Sequence, residues 1–148
     1  MTLVEEFHKK FGSPHPQQPH PGDAALVRLR MRMMREEYEE VRVEMVKLTR
    51  LLEHHEPGTE RVDKIMATLG LLLKELADLR YVVEGTAVAF GLPFEEAFEE
   101  VHRSNMSKTP PDEPGQKAVK GPWYSKADVV RFIPQIIDGT AEEDTTHE

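Results

Sequence analysis

Residues 60–90, ERVDKIMATLGLLLKELADLRYVVEGTAVAF, decide the fold of this chain. Seven apolar residues in this stretch are separated by steps of three and four, which is the spacing of one face of an α-helix. They are Val62, Ile65, Leu69, Leu72, Leu76, Leu79 and Val83. Further apolar residues occupy much of the remaining circumference, as in a helix at the centre of a bundle. The stretch therefore predicts a long central helix that ends at Gly91.

A second long helix is predicted over residues 24–54, which contain neither glycine nor proline. Its apolar residues also alternate between steps of four and three. They are Val27, Met31, Met34, Tyr38, Val41, Met45, Leu48 and Leu52. Asp23 is a good N-cap for this helix, and Pro57-Gly58 separates it from the next one.

The rest of the chain predicts shorter elements. Residues 1–12 and 93–105 have helical spacing, and a further short helix is expected around 127–133. The stretch SPHPQQPHPG at 13–22 holds four prolines and predicts an extended connection. No alternating strand pattern of any length occurs, so the predicted fold is all-α.

We therefore expect a helical bundle with two long central helices. Each of them is about 45 Å long at roughly 1.5 Å per residue, so a single chain forms a thin bundle. The broadly apolar central helix needs more cover than the short helices supply, which predicts a homodimer or a homotetramer. Residues 1–137 are expected to form one domain, and residues 138–148 an acidic, frayed tail.

Composition excludes several classes of function. The chain has 148 residues with 27 acidic and 19 basic side chains, a net charge of −8 that argues against binding a nucleic-acid polymer. It has no cysteine, which excludes disulfides, thiolate metal sites and cysteine nucleophiles. The uncharged stretch 85–94 is about half of the ~20 residues that span a bilayer. With no secretory signal pattern, a cytoplasmic location is expected.

The most informative side chains are acidic. Glu37, Glu40 and Glu44 follow one another at steps of three and four, so they share one stripe of the first long helix. On the second long helix, Glu75 and Asp78 also share a face. Stacked like charges repel unless a cation lies between them, and carboxylate oxygens are the ligands of Mg²⁺ and Mn²⁺. The two groups therefore indicate a metal site that uses both helices.

Other interpretations stay open at this stage. A glutamate-rich run is often a solvated face, and the similar run EEAFEE at 95–100 is interpreted as surface. The pairs Glu5-x-x-His8 and Glu99-x-x-His102 match one element of di-iron carboxylate bundles. A non-catalytic helical interaction protein is a further alternative.

Phosphate binding would need basic side chains together with a metal, because no glycine-rich phosphate loop is present. Four basic residues, Arg103, Lys108, Lys117 and Lys120, follow or end the third predicted helix. Charge-assisted contacts from such groups suit phosphate oxygens, although solvated loop lysines are an equal alternative. Asn105 is either a helix C-cap or a hydrogen-bonding group for a sugar or base.

The acidic motifs resemble those of a known superfamily. Glu36-Glu37-x-x-Glu40 and Glu75-x-x-Asp78 match the EExxE and ExxD pattern of the all-α nucleoside triphosphate pyrophosphatases. The blocks KELADLRYVVEGTAVAFGLPFEEAFEEVHRSNMSK at 74–108 and KGPWYSKAD at 120–128 are similar to the MazG-like and phosphoribosyl-ATP-pyrophosphohydrolase-like branch.

This resemblance implies a Mg²⁺-dependent enzyme, with Mn²⁺ as a substitute, that cleaves a (deoxy)nucleoside triphosphate between its α- and β-phosphates. Residue by residue, it makes Glu37, Glu40, Glu75 and Asp78 metal ligands, and Glu36 a further ligand or the base that orients water. It places Asn105 near the nucleotide. It also implies that three lysines contact the phosphates: Lys108, Lys117 and Lys120. It also implies a dimer or tetramer, and we expect dUTP as the substrate.

Overall fold

The structure, a computed structural model, describes residues 1–53 and 59–133. Four α-helices follow one another along the chain: α1 (Leu3–Phe11), α2 (Ala24–Glu53), α3 (Thr59–Ala89) and α4 (Phe94–Met106). Within the described residues the only extended pairing is an isolated bridge between Thr109 and Val119. The predicted all-α fold with two long helices is therefore confirmed.

The chain divides into two compact units, Met1–Leu92 and Pro93–Glu148. The first unit holds α1, α2 and α3, and the second begins with α4. The predicted domain end at residue 137 and the predicted acidic tail at 138–148 lie outside the described residues.

Several helix ends follow the signals in the sequence. Asp23 accepts a hydrogen bond from the backbone N–H of Leu26 through Oδ1 at 2.7 Å, as an N-cap residue does. α1 ends at Gly12, whose φ of 65° is the left-handed conformation that glycine adopts easily. The C-cap of α4 is Ser107, so Asn105 lies inside the last turn and is not the cap. The short helix expected around 127–133 is a single 3₁₀ turn, Val130–Phe132.

The proline-rich connection runs back to the C-terminal end of α3. The backbone N–H of His20 donates to the carbonyl of Phe90 at 2.9 Å. Gly91 has a φ of 59°, and a Cβ atom at this position would lie 2.3 Å from the carbonyl oxygen of Gln18. Only glycine fits here, because any side chain would collide with the backbone of the connection.

Within the first unit, α3 contacts both α2 and α1. Only part of the predicted apolar face of α2 is buried. Val41 is buried as predicted, whereas Met31, Tyr38 and Met45 are exposed. Arg30 and Glu44 are buried instead. The face of α2 that packs inside the chain is thus turned towards the acidic stripe.

A buried arginine joins α2 to α3. The guanidinium of Arg30 donates to the carbonyl of Val82 at 2.9 Å and to the hydroxyl of Thr86 at 3.1 Å. Burial lowers the pKa of Arg30. Gly85 makes this close approach feasible, since a Cβ there would lie 2.7 Å from the Arg30 guanidinium and 3.2 Å from the His8 ring.

The described part of a single chain buries few large apolar side chains. The buried apolar residues within it are Val4, Val41, Val82, Ala87 and Ala89. Along α3 a row of large side chains stays exposed: Val62, Met66, Leu69, Leu73 and Leu76. No helix in the described ranges combines the length and the apolar character needed to cross a membrane.

Candidate metal centre

Three carboxylates from the two long helices converge. Glu37 and Glu40 belong to α2 and Glu75 to α3, and one carboxylate oxygen of each lies within 4.8 Å of the other two. Glu37 and Glu40 share a face because they are three residues apart on a helix, and the packing of α2 on α3 adds Glu75. We refer to Glu37, Glu40 and Glu75 as the carboxylate cluster.

The like charges of the cluster perturb its most exposed member. A hydrogen bond with the side chain of Glu75 raises the pKa of Glu40, and the negative charges of Glu75 and Glu37 raise it further. The carboxyl group of Glu40 is therefore harder to ionise than that of an ordinary glutamate. A bound cation would favour its ionised form.

A lysine already supplies positive charge to these acids. The Nζ atom of Lys74 lies 2.8 Å from Asp78 Oδ2, 3.0 Å from Glu75 Oε2 and 3.9 Å from Glu40 Oε2. These contacts, led by the hydrogen bond to Asp78, raise the pKa of Lys74 above its usual range. The sequence reasoning missed Lys74, although its spacing of four residues from Asp78 was visible.

The structure brings together three of the five predicted metal-site residues. Asp78 is half-buried on the same face of α3 as Glu75, and its contact is with Lys74. Glu36 is exposed and lies outside the cluster. The metal-ligand role of all five residues stays a prediction.

A hollow of about 220 Å³ adjoins the cluster. It is lined by Glu39, Glu40, Val43, Glu44 and Glu75. Glu44 is buried, with 6% of its surface exposed, and Lys47 donates to its Oε1 atom. Its other oxygen, Oε2, is buried and has no hydrogen-bond partner. Glu44 was visible in the sequence as part of the acidic stripe but was not among the predicted ligands.

The residues present fit a hard divalent cation. Three carboxylate oxygens within 4.8 Å of one another can surround an ion at bond lengths of about 2.0–2.6 Å after small side-chain rotations. The ammonium group of Lys74 shows that a cation is accommodated beside them. An all-oxygen donor set selects Mg²⁺ or Mn²⁺ over softer metals.

The di-iron alternative finds no support in the described residues. Across residues 1–53 and 59–133, the carboxylate cluster is the one group of three potential ligands, and no histidine joins it. The ring of His8 contacts the carbonyl of Pro14 through Nδ1 at 2.7 Å. The carboxylate of Glu5 accepts from the backbone N–H of Thr2 in a capping box. Both side chains thus serve the ends of α1.

In the second unit, the predicted phosphate-binding lysines lie on and after the end of α4. Lys108 and Lys120 lie near Tyr124, and the Lys120 ammonium is 5.0 Å from the centre of its ring. A hydrogen bond with Ser104 lowers the pKa of Tyr124, and the charges of Lys120, Lys108 and Lys126 add to the effect. Tyr124 and Lys126 were not predicted.

The two other predicted substrate residues are exposed. Asn105 lies on the last turn of α4, and Lys117 lies in the loop that follows.

Glu100 corrects the interpretation of residues 95–100 as surface. Its side chain is buried, and it accepts hydrogen bonds from Arg103, Arg131 and the backbone N–H of Asp128. These contacts, led by that with Arg103, lower the pKa of Glu100 from 4.5 to about 2. Glu100 thereby ties the segment around Asp128 to α4, which a helical charge pattern alone does not indicate.

Comparison with known proteins gives one family. The family model described as phosphoribosyl-ATP pyrophosphohydrolase matches residues 4–105, more than half of the chain. No curated protein sequence matches the chain significantly. The matched range includes the carboxylate cluster, Asp78 and Asn105, whereas Lys108, Lys117 and Lys120 follow it. The chain belongs to the phosphoribosyl-ATP pyrophosphohydrolase family, within the MazG-like nucleoside triphosphate pyrophosphatase superfamily that its acidic motifs resemble.

Proposed function

We propose that the protein is a Mg²⁺-dependent pyrophosphohydrolase that cleaves a nucleoside triphosphate between its α- and β-phosphates. The products are the nucleoside monophosphate and pyrophosphate. The observation that carries the proposal is the convergence of Glu37, Glu40 and Glu75 in a chain of a pyrophosphohydrolase family. Its cellular role would be to remove unwanted nucleotides from the cytoplasmic pool.

The metal would be held by Glu37, Glu40, Glu75 and Asp78. To contribute, Asp78 must exchange its contact with Lys74 for the metal. This exchange is inexpensive because the Lys74 side chain is largely exposed and flexible. Once released, the ammonium group of Lys74 is available to a phosphate oxygen. Glu36 would act as a further ligand or as the base that orients the attacking water.

When bound, Mg²⁺ supplies neutralisation of phosphate charge and makes a water molecule more acidic. The side chains provide the rest of the reaction's requirements. Ionised carboxylates accept the proton that the attacking water loses. As the family resemblance implies, the lysines that follow α4 would contact phosphate oxygens, which ammonium groups bind strongly.

By the family resemblance, substrate recognition would fall to residues at and after the end of α4. The amide of Asn105 offers a donor and an acceptor to a sugar or base. Three lysines, Lys108, Lys117 and Lys120, would contact the phosphates. Lys120 is exposed beside the Tyr124 ring, where it is free of carboxylate partners among the described residues.

We propose dUTP as the preferred nucleotide, and phosphoribosyl-ATP as the second candidate because the family's name specifies it. Both carry a triphosphate whose α–β bond can be hydrolysed in the same way. The purified protein should be incubated with Mg²⁺ and each of the four dNTPs, dUTP, the four NTPs and phosphoribosyl-ATP. Pyrophosphate release from each nucleotide is then measured.

The expected result is pyrophosphate release that requires Mg²⁺ and is fastest with dUTP. Faster release from phosphoribosyl-ATP would replace the proposed substrate and keep the reaction. Release of phosphate in place of pyrophosphate, or no turnover of any nucleotide, would overturn the proposed reaction.

A further inference from the structure

We propose that Glu44 adds a metal-ligating position beside the carboxylate cluster, so that the adjoining hollow takes a second divalent cation. The inference rests on the proposed metal centre and extends it to a residue outside the EExxE and ExxD motifs.

The first support is the state of the Glu44 carboxylate. The residue is 6% exposed, and its Oε2 atom is the one buried side-chain oxygen or nitrogen without a hydrogen-bond partner across the two described ranges. A buried carboxylate oxygen without a hydrogen-bond partner is costly, and native proteins rarely contain one unless a water or an ion completes it. Lys47 satisfies only the other oxygen, Oε1.

The second support is where Glu44 lies. It lines the same hollow as Glu40 and Glu75, which are members of the carboxylate cluster. The hollow has a volume of about 220 Å³. A water molecule takes up about 30 Å³, so the hollow has room for a cation and several of the waters that Mg²⁺ retains.

The third support is the local charge. Five carboxylates lie in or beside the cluster and the hollow: Glu37, Glu40, Glu44, Glu75 and Asp78. Two ammonium groups, those of Lys47 and Lys74, contact them. Glu39, which also lines the hollow, is already paired with Arg42. One divalent cation therefore leaves the acids in excess, whereas two cations give the site the positive charge that a triphosphate requires.

The test is the number of Mn²⁺ ions bound per chain, measured by calorimetric titration without nucleotide and by electron paramagnetic resonance. The wild-type protein should bind two ions and show a spin-coupled spectrum, because metals that share carboxylates lie roughly 4 Å apart. Glu44→Gln should bind one ion and lose the coupled spectrum.

Two further variants serve as controls. Glu39→Gln is the matched control, since Glu39 lines the same hollow but is only half-buried and is paired with Arg42. This variant should keep two ions and the coupled spectrum. Glu44→Asp keeps a carboxylate and should retain two ions with weaker binding of the second. Unchanged helical circular dichroism in each variant shows that the fold is intact.

The inference is overturned if the wild-type protein binds a single Mn²⁺ or if Glu44→Gln still binds two. Its failure is distinguishable from failure of the proposed function. Two bound ions without hydrolysis of any nucleotide would support the second cation and contradict the proposed reaction. One bound ion with full pyrophosphate release would contradict the second cation and support the proposed reaction.

Discussion

At the scale of a single residue, Glu40 shows how the neighbouring carboxylates affect one member of the carboxylate cluster. Its pKa is raised, first by the hydrogen bond with Glu75 and then by the charges of Glu75 and Glu37. A group with a raised folded-state pKa stabilises the fold below its ordinary pKa, and that contribution is lost as the pH rises through the raised value. Without metal, ionisation of Glu40 therefore lowers the stability of the fold as the pH rises.

Metal binding should consequently depend on pH. Because Mn²⁺ binds the ionised carboxylate of Glu40, whose pKa is raised, its affinity should fall as the pH is lowered, and the fall should begin above the ordinary glutamate value of 4.5. Titration calorimetry from pH 7.5 to pH 5, in two buffers of different ionisation enthalpy, measures both the affinity and the protons released. Equal affinity across this range, with no protons released at pH 5, would contradict this account of Glu40.

The contacts of Glu44 and Lys74 could not be predicted from their positions in the sequence. The helical spacing of Glu44 placed it on the acidic stripe, and Lys74 stands four residues before Asp78. Neither spacing says which side chain is buried or which oxygen lacks a partner. Those properties arise from the neighbours that α2 and α3 bring together.

At the scale of the elements, the connection between α1 and α2 is fixed at the end of α3 through Gly91. Its positive φ and the nearby carbonyl of Gln18 leave no room for a side chain. Gly12 provides a matched comparison, because its φ is 65° but a Cβ there would meet nothing within 4 Å.

Gly91→Ala should therefore destabilise the protein more than Gly12→Ala does. Both substitutions incur the left-handed strain of about 1–2 kcal/mol, and only Gly91→Ala adds a collision with the connection. Chemical denaturation of the two variants beside the wild-type protein measures the difference. Equal losses of unfolding free energy would show that the contact between Gly91 and Gln18 has no energetic weight.

The helices themselves were predictable from the sequence, and their buried faces only in part. Apolar residues at steps of three and four, together with the signals at Asp23, Gly12 and Gly91, located the helices closely. The predicted apolar face of α2 failed for residues such as Met31 and Tyr38, which are exposed. Periodicity records every apolar stripe on a helix, whether its own chain or another molecule covers it.

At the scale of the whole molecule, the exposed apolar row on α3 is the feature that bears on self-association. Met66 is 62% exposed and Leu73 is 71% exposed, and their neighbours at helical spacing are exposed as well. Exposed apolar stripes of this kind are typical of subunit interfaces.

We therefore expect a homodimer or homotetramer in solution whose subunit contact includes this row. Leu73→Glu should produce monomers, because it places a charge within the apolar row. Leu3→Glu changes a leucine on α1 that is 80% exposed and should leave the assembly intact. Sedimentation equilibrium gives the mass of each species. A wild-type monomer, or a Leu73→Glu protein of unchanged mass, would refute the role of α3.

The carboxylate cluster depends on both its residues and its helices. α2 and α3 must pack correctly before Glu37, Glu40 and Glu75 can hold an ion. Phosphorus NMR of a nucleoside triphosphate incubated with Mg²⁺ and either the wild-type protein or Glu40→Gln tests this most directly. The wild-type protein should yield the monophosphate and pyrophosphate. Glu40→Gln should keep its helical circular dichroism. Its rate of pyrophosphate release should fall by more than the roughly 10–100-fold loss of activity that follows removal of an outer partner of a metal ligand. Undiminished pyrophosphate release by Glu40→Gln would contradict the account.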